Sequence, residues 1–545
     1  MKQNEKEDLR NRRDFLRQSA CATLGVTGLV NALAQFRLIT ATMAQGGPFS
    51  DFKALICLFL YGGNDSSNLL VPAGDPASSE PRSDYEAGRG ILALGSSALL
   101  PINVPAGTKA FDQYYNGNVV PIGVHPNCLH LANMFDAKDL AFIGNVGTLS
   151  YPFADRNEYL TGAVPAPPQL FSHSDQQTQW QSSIPDKPFQ SGWGGRAAEI
   201  LHASYNDPMA SKVSASISIS GVNQWQVGTT GAVQQYIVNP SGAVSLNGFG
   251  PQNDPYANAW DPITQTYKNT DQGKKLEAFE TIMNLAHENL LENEYNKIVS
   301  RARLTEGVIG AALQAAGQSG VDFDANFVNA GTSLGDQLKM VAQLIAGRAP
   351  LGNNRQVYFV SAGGYDNHQT MLSAHGTLMS ELSEALKAFK DTMVELGDWD
   401  KTLLFSASDF NRTFTPNGTN PNTSGSDHAW GSNQFVMGGK VKGGDLYGHI
   451  PAMKLGNTPG SIDADNNRGR WIPSISVDQY SKVITKWMGA TENDLAAIFP
   501  NLGRFDDPCT SSTPNLDFMD YSTGGPTPKP VPDELLSQEN KNLRP

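Results

Sequence analysis

Cysteine is scarce, with four in 545 residues. Cys21 falls in the amino-terminal segment; Cys57, Cys128 and Cys509 are widely separated. An odd remainder at wide spacing excludes a disulfide framework and a cysteine-type zinc site. One pairing, Cys128 with Cys509, is left open. Cys57 lies inside an apolar run and reads as a small core hydrophobe. Charge is also sparse: Asp, Glu, Lys and Arg make up 17% of the chain. That level excludes coiled-coil and highly charged disordered compositions. Positive charge is in deficit, with a net −13, which argues against nucleic acid as a partner and makes divalent cations plausible companions. No glycine-rich dinucleotide fingerprint follows the first apolar strand, so an oxidoreductase reading has little support. No segment has the length and apolarity of a membrane span.

What is present is enough apolar sequence for a large core, 39% hydrophobic, interrupted by 53 Gly and 33 Pro. The start carries "NRRDFLRQ", with Arg12 and Arg13 paired before Phe15 and Leu16. The mildly apolar "SACATLGVTGLVNALA" follows, then small residues ending at Ala44. This is a twin-arginine export pattern, which predicts a signal peptide over 1–44, passage through the twin-arginine translocase, and a periplasmic or secreted mature chain. A basic amphipathic start to a cytosolic helix fits the order and spacing less well. The segment carries a net +3, so the mature chain is near −16. Export of an already folded chain favours a cofactor or metal loaded beforehand.

Five apolar runs read as buried parallel strands: 54–61, 119–123, 140–147, 356–362 and 402–408. Helical patterns cover 272–316 and 333–347. Leu378, Leu382, Leu386, Phe389, Met393 and Leu396 form one apolar stripe on a further helix. Strands alternating with helices predict an α/β fold with a mostly parallel sheet. Residues 211–250 read as a β-rich insertion. The stretch from about 505 to 545 reads as a Pro-rich tail.

Three predicted strands are each followed by a carboxylate: "GGNDSSN" with Asp65, "GGYDNHQ" with Asp366 and His368, and "DFNRTF" with Asp409 and Arg412. Ligands bind beyond the carboxyl ends of parallel strands, so these residues are expected to converge. Any one of them alone is also an ordinary turn. "SDHAWG" adds Asp427 and His428, and "FSHSDQQ" adds Ser172, His173, Ser174 and Asp175. Carboxylates with imidazoles suit Zn, Mn, Mg or Ca.

In order along the chain stand "FLYGGNDSSNLLVP", "GVHPNCLHLANMF", "FSHSDQQTQW", "GWGGR", "GGYDNHQTM", "SDFNRTFTPNG", "GSDHAWGSNQFVMGGKVKGGDLYG" and "DQYSKVITKWMGATENDLAAIFPNL". Together they resemble domain-of-unknown-function family 1501, exported bacterial proteins, over nearly all of 50–503. That family is similar to the alkaline phosphatase–sulfatase superfamily. The resemblance implies a three-layer α/β/α sandwich with metals at the strand ends. It implies Asp65, Asp366, His368, Asp409 and His428 as metal ligands, although Phe410 stands where a second-metal histidine would follow Asp409. It implies a nucleophile in "FSHSDQQ", with Ser172 first and Ser174 second. Ser172 is equally a helix N-cap. No cysteine stands there, which closes a formylglycine route.

The expected chemistry is hydrolysis of a phosphate or sulfate ester. A metal on Asp366, His368 and His428 would neutralise developing charge, with a second near Asp65 and Asp409. Arg412 would grip the anionic group or pair with Asp409. His173 would serve as leaving-group acid. An anionic small molecule or a polysaccharide ester is the expected substrate. The competing expectation is a non-catalytic binding or scaffold protein of the cell envelope with a structural or vestigial metal site.

Overall fold

The run "KALICLFL" becomes the strand β1 (Lys53–Leu60), and every residue in it is buried. Its side chains divide by parity, as a pleated strand requires. Ala54, Ile56, Leu58 and Leu60 enter one hydrophobic cluster, and Leu55, Cys57 and Phe59 enter another. Both faces of the sheet are therefore covered. The computed structural model describes residues 51–242, 259–261, 266–283, 305–510 and 515–522. The expected signal peptide lies outside them.

β1 is central in a nine-stranded sheet with β2 (Leu140–Gly147), β3 (Ser216–Ser218), β4 (Tyr236–Ile237), β5 (Arg355–Ala362), β6 (Thr402–Ser408), β7 (Ser432–Gly438), β8 (Leu446–Gly448) and β9 (Ile475–Ser476). The order is β8-β2-β7-β6-β1-β5-β3-β4, with β9 also on β2. Only β7 runs against its neighbours. One helical layer contains α3 (Ser333–Ala346) and α4 (Met371–Glu395), whose Leu382, Leu386, Phe389 and Met393 join the first cluster. The other contains α2 (Trp193–Tyr205) and α5 (Val477–Trp487), which join the second cluster together with Trp180 of α1 (His173–Ser182). The fold is a three-layer α/β/α sandwich around a mostly parallel sheet.

Several expectations change. Residues 119–123 do not form a strand of the main sheet: Ile122–Val124 is the middle of a small antiparallel sheet with Leu70–Pro72 and Leu100–Pro101. Within 211–242 no separate β unit forms, because β3 pairs in parallel with β5 and β4 in parallel with β3, extending the main sheet; 243–250 lie outside the described residues. The presumed tail begins too early, since Leu516, Phe518 and Met519 are fully buried in the second cluster. Helix covers 271–283 and 305–317, and the middle of the predicted 272–316 helix lies outside the described residues. Cys57, Cys128 and Cys509 are all free thiols, so the Cys128–Cys509 pairing does not form. No helix among the described residues is long and apolar enough to cross a membrane.

Candidate metal centre

β1, β5 and β6 end at one level, because Leu60 pairs with both Ala362 and Ser408. The loops that follow are then forced together. Gly62 has φ +114°, and a Cβ there would collide with the backbone nitrogen of Asp366. Only glycine tolerates both conditions. Its N–H donates to Asp409 Oδ2 at 3.2 Å. His173 enters from the first turn of α1, and His428 from the loop before β7, where it forms an isolated bridge with Arg412.

Three imidazoles converge on one carboxylate oxygen. Asp366 Oδ1 lies 3.0 Å from His368 Nε2, 3.4 Å from His428 Nε2 and 3.5 Å from His173 Nε2. The Nε2 atoms of His368 and His428 are 2.9 Å apart. His173, Asp366 and His428 each offer a ligand atom within 4.8 Å of the others, a group able to hold a metal ion. Every imidazole is gripped through its other nitrogen. Asp409 Oδ2 meets His173 Nδ1 at 2.7 Å, Asp427 Oδ1 meets His368 Nδ1 at 3.0 Å, and the Phe171 carbonyl meets His428 Nδ1 at 2.7 Å. A carboxylate or carbonyl accepts only, so a neutral imidazole carries its proton on Nδ1 and turns the Nε2 lone pair inward. His173 Nε2 is buried without a hydrogen-bond partner. Three acceptor atoms, from His173, His428 and Asp366, repel at this spacing unless a positive charge lies among them, and this donor set fits a metal.

The surrounding charges act differently on each group of the centre. Burial opposes ionisation of Asp366, but the Arg412 guanidinium outweighs it, with His368 and His173 adding, and the carboxyl sits below its ordinary range. The hydrogen bond that His173 donates to Asp409 raises the pKa of His173 and so favours its protonated form. Burial lowers His428, and the positive charges of Arg412, His173 and His368 lower it further against the Phe171 bond. Burial opposes ionisation of Asp427 too, and its bonds from Asn417, Arg468 and His368 prevail. Asp366 is about half exposed, at 48%, so the cluster opens to solvent on its side.

The remaining expected residues stand elsewhere in the arrangement. Asp65 is fully buried and forms an ion pair with the equally buried Arg89, so its carboxylate answers a guanidinium and not the imidazole cluster. Asp409 supports His173 and also accepts from Gln177 Nε2 at 2.8 Å. Among the described residues, neither Asp65 nor Asp409 belongs to a group able to hold a metal ion. Arg412 is not a free anion clamp: its guanidinium meets Asp366 Oδ1 at 2.7 Å, the Gly62 carbonyl at 3.2 Å and the Ser426 carbonyl. Its ion pair is with Asp366, not Asp409. Ser172 is the N-cap residue of α1, and its hydroxyl donates to Asp175 Oδ2 at 2.6 Å, away from the imidazoles. Ser174 lies 3.3 Å from Ser172 and is exposed. His173 stands with the metal-binding group and not as a separate acid.

Sequence reasoning missed three supporting features. Asp427 was visible in "SDHAWG" but was not assigned to His368. Gln177, one helical turn beyond His173, faces the same carboxylate. Phe410, which stands where a second-metal histidine was expected, packs against His428 at 4.7 Å and 28° and against His173 at 4.7 Å. It holds two imidazole planes in place instead of supplying another ligand.

Residues 244–462 match the family model described as "Protein of unknown function (DUF1501)". This is the family that the ordered motifs resemble. No curated protein matches the chain in sequence. Among solved structures, one similar chain is titled "Crystal structure of Ps i-CgsB in complex with k-i-k-neocarrahexaose". It shares 10% identity, covers 83% of this chain and 77% of its own, and has a TM-score of 0.26. A likeness that weak carries no argument about activity or superfamily.

Proposed function

We propose that the chain is an exported, metal-dependent hydrolase of phosphate or sulfate esters, built on an alkaline phosphatase-like plan with one metal. The convergence of three Nε2 atoms on Asp366 Oδ1 carries the reading. His173, His368, His428 and Asp366 would hold the ion. Three imidazoles argue for Zn or Mn over Mg and Ca, which prefer oxygen-only shells. When bound, the metal supplies Lewis-acid polarisation of the ester and acidifies water.

The protein's own groups set the charge. Arg412 balances Asp366, and the imidazoles bind as neutral ligands, so the loaded centre keeps excess positive charge for an anionic ester. The half-exposed side of Asp366 leaves room for substrate, whereas a structural site is closed by protein ligands. With Ser172 held by Asp175, attack by water fits the geometry better than attack by this serine. Export by the twin-arginine route, expected from the amino-terminal motif, would agree with a centre loaded before translocation and with a periplasmic or secreted enzyme.

Metal analysis of the protein purified after export tests the reading, together with assays on aryl phosphates and aryl sulfates. About one equivalent of Zn or Mn is expected, with hydrolysis abolished in Asp366→Ala. Retained metal without turnover would instead support the non-catalytic binding protein, a reading favoured by the prior engagement of Arg412 and Ser172. A metal-free protein whose activity ignores Asp366→Ala would sink both.

A further inference from the structure

A cavity of about 770 Å³ lies outside the metal centre. No imidazole of the cluster lines it, nor do Asp366 and Arg412. Its volume falls within the range of small-molecule sites. Tyr114, Phe153 and Phe505 give it aromatic walls, with Gln113, Asn157 and Ser474 among its neutral polar groups.

Three of its four carboxylate and guanidinium side chains make hydrogen bonds to the wall. Arg504 bonds to Asp186 Oδ2 at 2.8 Å and to the Ser150 carbonyl at 3.0 Å. Arg156 bonds through Nη1 to Asn457 Oδ1 at 2.7 Å and through Nε to the Asp463 carbonyl. Asp155 caps a short helix by accepting from the backbone of Asn157 and Glu158. No lysine lines the cavity. Asp155 and Asp506 line the cavity beside Arg156 and Arg504, so the lining has no net positive charge to hold a phosphate or nucleotide. Two lining side chains do have unanswered polar atoms: His449 Nδ1 and Arg156 Nη2 are buried without partners. One is an acceptor in the neutral Nε2–H tautomer and the other a donor, a combination that a hydroxyl satisfies from both sides.

We propose that this cavity binds an uncharged oligosaccharide. A sugar ring presents an apolar C–H face to an aromatic wall and a rim of hydroxyls to amides, and each hydroxyl both donates and accepts. The site also has a physical route to the metal centre. Trp430, two residues after His428, packs on Phe153 at 6.0 Å. Arg470 N donates to Asp463 Oδ1 at 2.9 Å while its Nε donates to the His428 carbonyl at 2.8 Å. A glycan held here would lie one residue layer from the cluster, but its binding requires no catalysis.

Calorimetric titration of the full mature protein with cellohexaose, xylohexaose, chitohexaose and hexameric oligogalacturonate tests the inference. At least one neutral hexasaccharide is expected to bind. Phe153→Ala should weaken that binding at least tenfold, and the exposed-site variant Asn157→Ala several-fold with an unchanged melting temperature. Binding should survive removal of metal by a chelator, so failure of the hydrolase reading would leave it standing. Binding of the acidic oligomer alone, of no oligomer, or binding indifferent to both variants would overturn the inference. Loss of binding on chelation would do so as well, by moving the glycan to the metal centre.

Discussion

Asp65 and Asp409 each follow the end of a buried parallel strand, and from sequence they are equivalent. Their surroundings make them different. Asp65 faces Arg89 with both side chains at 0% exposure, and burial raises its pKa against the pull of Arg89 and Arg412. Asp409 faces His173 Nδ1, Gln177 and the Gly62 N–H. One therefore holds charge in the core and the other fixes the tautomer of an imidazole. Asp409→Asn should lower metal affinity about 10–100-fold, the usual effect of removing an outer-shell partner, with little change in stability. Asp65→Asn should do the reverse: it strands a buried guanidinium and costs about 3–5 kcal/mol while the donor set stays intact. Metal titration and urea unfolding of both variants separate the two roles, and equal effects on affinity would refute the division.

At the scale of elements, the site exists because three parallel strands stop together and their loops have to cross at close range. Gly62 is the point where this is tightest. Its φ of +114° excludes an ordinary side chain, and the space a Cβ would need is filled by the Asp366 backbone. Gly62→Ala should push the loop after β5 away from β1 and draw Asp366 out of reach of the imidazoles. Strain of this kind costs on the order of 1–3 kcal/mol, and metal affinity should fall along with the melting temperature. A variant that melts lower but binds metal as tightly as the parent would show that the loop position is not set by Gly62. This crossing was legible in sequence, since fully apolar runs ending in Gly-Gly mark buried parallel strands and sharp exits. The antiparallel β7 was not, because its buried Ser432, Asn433 and Gln434 break the apolar pattern, and Gln434 Oε1 accepts from Ser406 across the sheet at 2.7 Å. Pairings between distant residues, such as Asp65 with Arg89, leave no local trace at all. The histidine of "FSHSD", expected from sequence as a leaving-group acid, reaches the imidazole cluster because α1 packs against β6.

Across the whole molecule, polar chemistry is carried inward further than the sandwich alone requires. Behind the metal centre lie His125 and His375, with ring centroids 5.5 Å apart. His375 Nε2 meets Asn64 Oδ1 at 3.0 Å, and Arg89 lies close enough to disfavour its protonation. Burial drives both imidazoles down to a pKa of about 3, with the neighbouring His375 adding to the effect on His125 against the pull of Asp65. The sign of the linkage follows. An unfolded histidine titrates near 6.5, so below that pH the unfolded chain takes up protons that the folded chain refuses. Stability is complete above about pH 6.5 and falls as pH drops toward 3. At pH 5 the loss is about 2 kcal/mol for each imidazole. Urea unfolding of chelated protein at pH 7.5 and 5.0 measures the loss, and His375→Gln, which preserves a hydrogen-bonding group beside Asn64, should shrink the difference by about one imidazole's share. An unchanged difference in that variant would mean that acid sensitivity resides in other groups, and that these two histidines accept protons in the folded state as readily as in the unfolded chain.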